Sequence, residues 1–213
     1  MTYALVKICG ISSPATLAAC IAARAEWVGF NFFPPSPRFL TSAAAAGLAG
    51  RAQGAIRKAG VFVDAEDAFL AEAVHAGRLD AIQLHGHESP ERVAQVRQRF
   101  GLPVWKVLSV SGPDDIAHAA AYAGAADFLL FDAKTPKGQL PGGMGLAFDW
   151  SLLSAYRGPL AWGLAGGLTP ANVAEAIRLT GAGLVDTSSG VESAPGLKDV
   201  DKIAAFCKAA RHA

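Results

Sequence analysis

Eight short apolar runs, each followed after a short connection by a helix-forming stretch, predict an α/β chain that closes into a (β/α)8 barrel. Three observations carry this reading. The runs are mostly apolar rather than alternating, as parallel strands covered on both faces must be. The 213 residues suffice for a full core but are compact for the fold, so residues 1–213 read as one barrel domain without inserted domains. The competing arrangement, an open doubly wound sheet, usually carries a glycine fingerprint after its first strand. Here Cys9-Gly10-Ile11-Ser12 stands there instead.

Taken in order, LVKIC (5–9) is the first strand, and Ser12 or Ser13 with Pro14 starts a helix to about Arg24. Proline suits a helix's first turn, where its missing N–H has no partner to lose. WVGFNF (27–32) is the second strand, and the alanine-rich run after Thr41 is helical by propensity. IRKAGVFV (56–63) is the third, with a helix from Asp64–Asp67 to Ala76. AIQLH (81–85) is the fourth, and ESPERVAQVRQRF (88–100) sets Val93, Val96 and Phe100 on one helical face and charge on the other. PVWKVLSV (103–110) is the fifth, followed by the helix DDIAHAAAY (114–122). DFLLFD (127–132) is the sixth, with Asp127 as a solvent-facing entry residue. A loop rich in Gly and Pro (133–147) has the composition of a lid and leads to a short helix from Asp149 to Ala155. PLAWGL (159–164) and GLVDT (183–187) are the seventh and eighth strands, followed by helices at 170–179 and 199–210.

Composition narrows the function. Hydrophobic residues are 52% and charged residues 17%, which excludes a disordered chain or a coiled coil. With 19 basic and 18 acidic residues the net charge is +1, and no basic block accompanies the aromatics, so no nucleic-acid partner is expected. No apolar run nears the roughly 20 residues of a membrane span. Lys7 interrupts the first apolar run with no basic segment before it, so no signal peptide and no membrane partner are expected. Cysteines at 9, 20 and 207 form neither a disulfide framework nor a metal cluster, and a reducing cytoplasm fits them. The histidines at 75, 85, 87, 118 and 212 are scattered, so no metal is expected either.

In such a barrel the chemistry lies at the C-terminal ends of the strands. Cys9 and Asp132 end strands one and six, and alternation along a strand puts each over the mouth if Lys7 and Leu130 face inward. A thiol with a reference pKa of about 8.5 is a usable base beside a favourable neighbour. A carboxyl in a strand-end pocket can be a general acid. Cys20 and Cys207 lie within helices and read as packing residues. Arg38 follows a loop stiffened by Pro34, Pro35 and Pro37, and its fork can take a carboxylate bidentately. His85 could be an electrophile, a substrate clamp or a backbone-bonded histidine. Lys7, if inward-facing, needs a partner, and Asp186 on the adjoining eighth strand is the natural one. Gly166 and Gly167 after strand seven, and Ser188, Ser189 and Gly190 after strand eight, let backbone N–H groups converge on an anion. Two consecutive units with this feature, in the last two positions, mark a phosphate grip.

VKICG (6–10), GFNFFPPSPR (29–38), GVFV (60–63), QLHG (83–86), FD (131–132) with GGMGLAFDW (142–150), LAGGLTPANV (164–173) and VDTSSGVE (185–192) with PGLKD (195–199) together resemble the phosphoribosylanthranilate isomerase family of tryptophan biosynthesis. The resemblance covers nearly the whole chain. It implies an intramolecular aldose–ketose isomerase that needs no cofactor. Its reaction is the Amadori rearrangement of N-(5-phospho-β-D-ribosyl)anthranilate to 1-(2-carboxyphenylamino)-1-deoxy-D-ribulose 5-phosphate. By that resemblance Cys9 is the general base and Asp132 the general acid, and Arg38 holds the anthranilate carboxylate. His85 counts among the substrate-binding residues, and N–H groups around Gly166, Gly167, Ser189 and Gly190 hold the phosphate. Two alternatives stand beside it. Another phosphosugar barrel, an indole-glycerol-phosphate synthase or an aminoimidazole ribotide isomerase, would use a lysine–glutamate or paired-aspartate constellation. A non-catalytic barrel binding phosphorylated anthranilate derivatives would not need both Cys9 and Asp132. Self-association and contact with pathway enzymes are left open.

Overall fold

The computed structural model describes residues 4–133 and 148–213. Eight parallel strands form a closed barrel in chain order: β1 (Leu5–Cys9), β2 (Trp27–Asn31), β3 (Arg57–Phe62), β4 (Ala81–Leu84), β5 (Val104–Val110), β6 (Phe128–Ala133), β7 (Trp162–Leu164) and β8 (Leu184–Thr187). β8 pairs back onto β1 through Lys7 opposite Asp186. This is the expected (β/α)8 barrel, a single α/β domain, and each expected strand is present within a few residues. The seventh is the most shortened, because Trp162–Leu164 alone make the ladder.

Each helix that starts cleanly does so on a residue suited to it. Ser13, Thr41, Ser89 and Asp199 accept backbone N–H groups at the starts of α1 (Pro14–Ala22), α2 (Ser42–Ala52), α4 (Pro90–Phe100) and α7 (Val200–Arg211). Helix α3 spans Asp67–Gly77, and α6 spans Val173–Thr180, three residues later than the sequence suggested. The expected helix 114–122 is instead a short α5 (Pro113–Ala117) that tightens into a 3-10 turn over His118–Tyr122. The segment Trp150–Ala155 is likewise 3-10. The expected lid loop lies outside the described residues from 134 to 147.

Strand alternation divides the interior in two. Outward-facing Val6, Ile8, Val28, Phe30, Phe62, Ile82, Leu129 and Phe131 are fully buried under the helices. Fully burying side chains of this size contributes about 1.5–3 kcal/mol each. Inside the barrel, Trp27, Ala59, Ala81, Trp105, Leu130 and Leu184 make a separate apolar plug below the mouth. Trp27 and Trp105 meet edge to face at 4.7 Å between ring centroids. The plug fills the interior below the mouth, and the cavity lies at the C-terminal ends of the strands.

One device recurs at the bottom. An acidic residue just before an even-numbered strand accepts the N–H at the start of the strand before it. Glu26 takes Val6 N at 2.7 Å, Asp80 takes Lys58 N at 2.8 Å and Asp127 takes Val104 N at 2.9 Å. Asp127 also pairs with Arg97 Nε at 2.9 Å. It is therefore a strand-stitching residue rather than a merely solvent-facing one.

Candidate active site

The mouth holds a cavity of about 500 Å³ whose lining includes Cys9, Arg38, His85, Asp132, Gly166, Gly167, Ser189 and Gly190, every residue to which the family resemblance gives a role. Cys9 ends β1 and Asp132 lies one residue from the end of β6. Going round the ring from β6 to β1 on the short side passes β7 and β8, so the two glycine-bearing loops sit between the thiol and the carboxyl.

Asp132 is buried, its Oδ1 accepting Ala133 N at 2.8 Å and its Oδ2 lying 3.4 Å from His85 Nε2. The contact of His85 with this carboxyl lies outside the three roles that its sequence position suggests. Burial pushes the Cys9 thiol above its ordinary value, against the pull of Lys7 and Lys198 toward the thiolate. Lys7 is fully buried and donates to Asp186 Oδ2 at 2.8 Å, the partner the register requires.

Arg38 reaches the cavity already engaged. Its Nε and Nη2 bond Glu192 Oε1 and Oε2, both at 2.7 Å, in a bidentate fork. The same Glu192 Oε1 accepts Lys198 Nζ at 2.7 Å, and that ammonium also donates to Ser188 O at 2.9 Å. Glu192 and Lys198 belong to a hairpin that the sequence reading missed, β9 (Glu192–Ala194) with β10 (Leu197–Lys198). The trio of Arg38, Lys198 and Glu192 sums to one net positive charge. Despite burial, Arg38 and Lys198 hold Glu192 below the usual carboxylate range.

The glycine loops are shaped as a cradle. Gly166 and Gly167 both take positive φ, +86° and +64°, a conformation that favours glycine. Their N–H groups have no acceptor among the described residues. Asn172 clips the loop shut, donating to Gly167 O at 3.0 Å and accepting Thr169 N at 2.7 Å. Across from it Ser189–Val191 form a 3-10 turn. A Cβ on Gly190 would collide with the Leu168 carbonyl, so glycine there lets the two loops touch. The described residues contain no group of three or more His, Cys, Asp or Glu able to hold a metal.

A closed eight-stranded barrel with an ionisable pair and two glycine-bearing loops around one cavity defines a class, the single-domain (β/α)8 enzymes. Within it the chain belongs to the phosphoribosylanthranilate isomerase family. Residues 6–209 match the family model described as N-(5'phosphoribosyl)anthranilate (PRA) isomerase. The chain is 57% identical over 207 residues to N-(5'-phosphoribosyl)anthranilate isomerase of Paramagnetospirillum magneticum, covering 97% of this chain and 96% of that one. The phosphoribosyl anthranilate isomerase structure from Thermotoga maritima superimposes with a TM-score of 0.89 at 35% identity, covering 99% of this chain and 100% of that one. A further phosphoribosyl anthranilate isomerase structure, in complex with reduced 1-(o-carboxyphenylamino)-1-deoxyribulose 5-phosphate, matches with a TM-score of 0.86 at 33% identity, with 99% and 100% covered.

Proposed function

We infer that this chain isomerises N-(5'-phosphoribosyl)anthranilate to 1-(2-carboxyphenylamino)-1-deoxyribulose 5-phosphate, a step of tryptophan biosynthesis. The observation that carries the assignment is the meeting of Cys9, Asp132, Arg38 and the glycine cradle on one cavity, in a chain of this family. In this reading the phosphate sits on the N–H groups around Gly166, Gly167, Ser189 and Gly190, and the Arg38 cluster takes the ring carboxylate. The reacting sugar carbons then lie between the thiol and the carboxyl.

Asp132 gives its proton to the furanose ring oxygen as the bond from that oxygen to the anomeric carbon breaks. The aniline nitrogen's lone pair forms the protonated imine that results, its N–H kept. Cys9, as thiolate, takes the proton from the adjacent carbon, and those electrons make the enolamine. The enolamine then loses its hydroxyl proton and gains one at the former anomeric carbon, giving the ketone. Setting the acid and base on different strands keeps them from neutralising one another. Its place is the cytoplasm, a proposal supported by the free state of Cys9, Cys20 and Cys207.

Purified protein mixed with N-(5'-phosphoribosyl)anthranilate should quench the anthranilate fluorescence with turnover, and should leave an aminoimidazole ribotide substrate unchanged. The reverse pattern would move the chain to the other phosphosugar isomerases, and binding without turnover would make it a non-catalytic barrel.

Two variants test the binding contacts. Arg38→Ala should weaken product binding by about 10–150-fold, the worth of one charge-assisted hydrogen bond of roughly 1.5–3 kcal/mol. Calorimetric titration measures it, and an unchanged dissociation constant removes Arg38 from the ligand. Gly167→Asp puts a side chain and a negative charge on a positive-φ position at the cradle. The substrate KM should rise about tenfold or more, the equivalent of roughly 1.4 kcal/mol, whereas an unaltered KM would place the phosphate elsewhere.

A further inference from the structure

Lys7 has no task in the reaction as described, yet it lies in the barrel's interior directly beneath the thiol. It precedes Cys9 by two residues on the same strand face and is fully buried. A buried cation is costly unless paired, and Asp186 explains how it is tolerated, through the 2.8 Å bond to Oδ2. The pairing does not explain why a charge stands there at all, since the interior around it is filled by apolar Trp27, Ala59 and Leu130, Trp27 being its register partner on β2. The residue opposite Cys9 on β2 is Gly29. A Cβ at Gly29 would lie 2.8 Å from Cys9 Sγ and 3.2 Å from Lys7 Nζ. The glycine thus opens a slot onto which the thiol and the ammonium both face.

The other charges around the thiol are Asp186 from β8, Lys198 from β10 and Arg38 from the loop after β2, with Asp132 and His85 facing Asp186 from β6 and the end of β4. Lys198 and Arg38 are both bound to Glu192. Lys7 shares its counter-ion with no other described cation at hydrogen-bond distance. We propose that Lys7, held by Asp186 and given room by Gly29, is a positioning residue that sets the thiol–thiolate balance of Cys9. The proposal rests on the reading of Cys9 as the base. Burial opposes ionisation of the thiol, and the Lys7 ammonium pulls the other way, toward the thiolate. Burial also works against the Lys7 ammonium, but Asp186 and Cys9 overcome it and keep the proton on.

The test is the pH dependence of iodoacetamide alkylation at Cys9, with peptide mass spectrometry separating it from buried Cys20 and Cys207. Loss of the Lys7 charge should move the alkylation midpoint to higher pH and slow alkylation below that midpoint by about tenfold or more. Lys7→Met leaves Asp186 buried without its partner, so Lys7→Met/Asp186→Leu, which removes both charges, is measured beside it. Its midpoint should shift the same way, because Lys7 Nζ, not Asp186, is the charged group nearest the Gly29 slot beside the thiol. Lys7→Arg should keep the wild-type midpoint. An unchanged profile in the folded double variant overturns the proposal, and so does a Lys7→Arg shift as large as that of Lys7→Met. A Cys9→Ala protein with full turnover would instead end the role of Cys9 as base, a result the alkylation experiment cannot produce.

Discussion

Cys9→Ala and Asp132→Asn should each lose about 10²–10⁴-fold in turnover, the usual contribution of one positioned proton-transfer group, while still folding and binding product. Both expectations follow from placement. Cys9 is only partly buried and packs as the last residue of its strand, so removing one sulfur atom opens little of the core. Asn at 132 keeps an oxygen to accept Ala133 N and an amide of the same shape beside His85, but has no acidic proton to give. Cys9→Ser should also be poor, because a hydroxyl holds its proton far more tightly than a thiol does. Circular dichroism and calorimetric product titration separate loss of chemistry from loss of fold. A variant that loses binding in proportion to turnover would make its residue a substrate contact instead of a proton-transfer group.

Lys106→Met should be the most destabilising single change named here, at about 3–5 kcal/mol, because it strands a buried carboxylate. Lys106 and Glu88 are almost wholly buried, with Nζ 2.7 Å from Oε2. That ammonium also donates to Gly86 O at 2.7 Å. Glu88 in turn accepts Asp64 N and Gly86 N, both at 2.9 Å. The pair thereby clamps the turn after β4, directly beyond His85, to the turn after β3. Adding Glu88→Leu should recover only part of the loss, because it leaves those two backbone N–H groups unsatisfied. Denaturant unfolding of the three proteins measures this, and a Lys106→Met loss below about 1 kcal/mol would mean water reaches Glu88.

Much of this was readable from the sequence, and what was not has a common cause. Eight apolar runs and their caps state the barrel because strand and helix periods are local properties. Cys9, Arg38, His85 and Asp132 could be found because each ends a strand or follows a stiffened loop, and the fold sends such residues to the mouth. Glu192 escaped notice because its meaning depends on Arg38, 154 residues away in sequence. The β9–β10 hairpin is only a few residues long, too short for any periodic pattern. A signal for Lys106 did exist. A lysine inside an apolar strand needs a partner, and that logic, applied to Lys7, correctly led to Asp186. Applied to VWKVL it would have called for an acid near the end of β4, where Glu88 stands.

The measurement that bears most directly on the central claim is a single-turnover experiment on wild type, Cys9→Ala and Asp132→Asn, with enzyme in excess over N-(5'-phosphoribosyl)anthranilate. Fluorescence should fall rapidly in the wild type and about 10²–10⁴-fold more slowly in each folded variant. Near-wild-type single-turnover rates in both variants would contradict the assignment of Cys9 and Asp132 as the base and the acid.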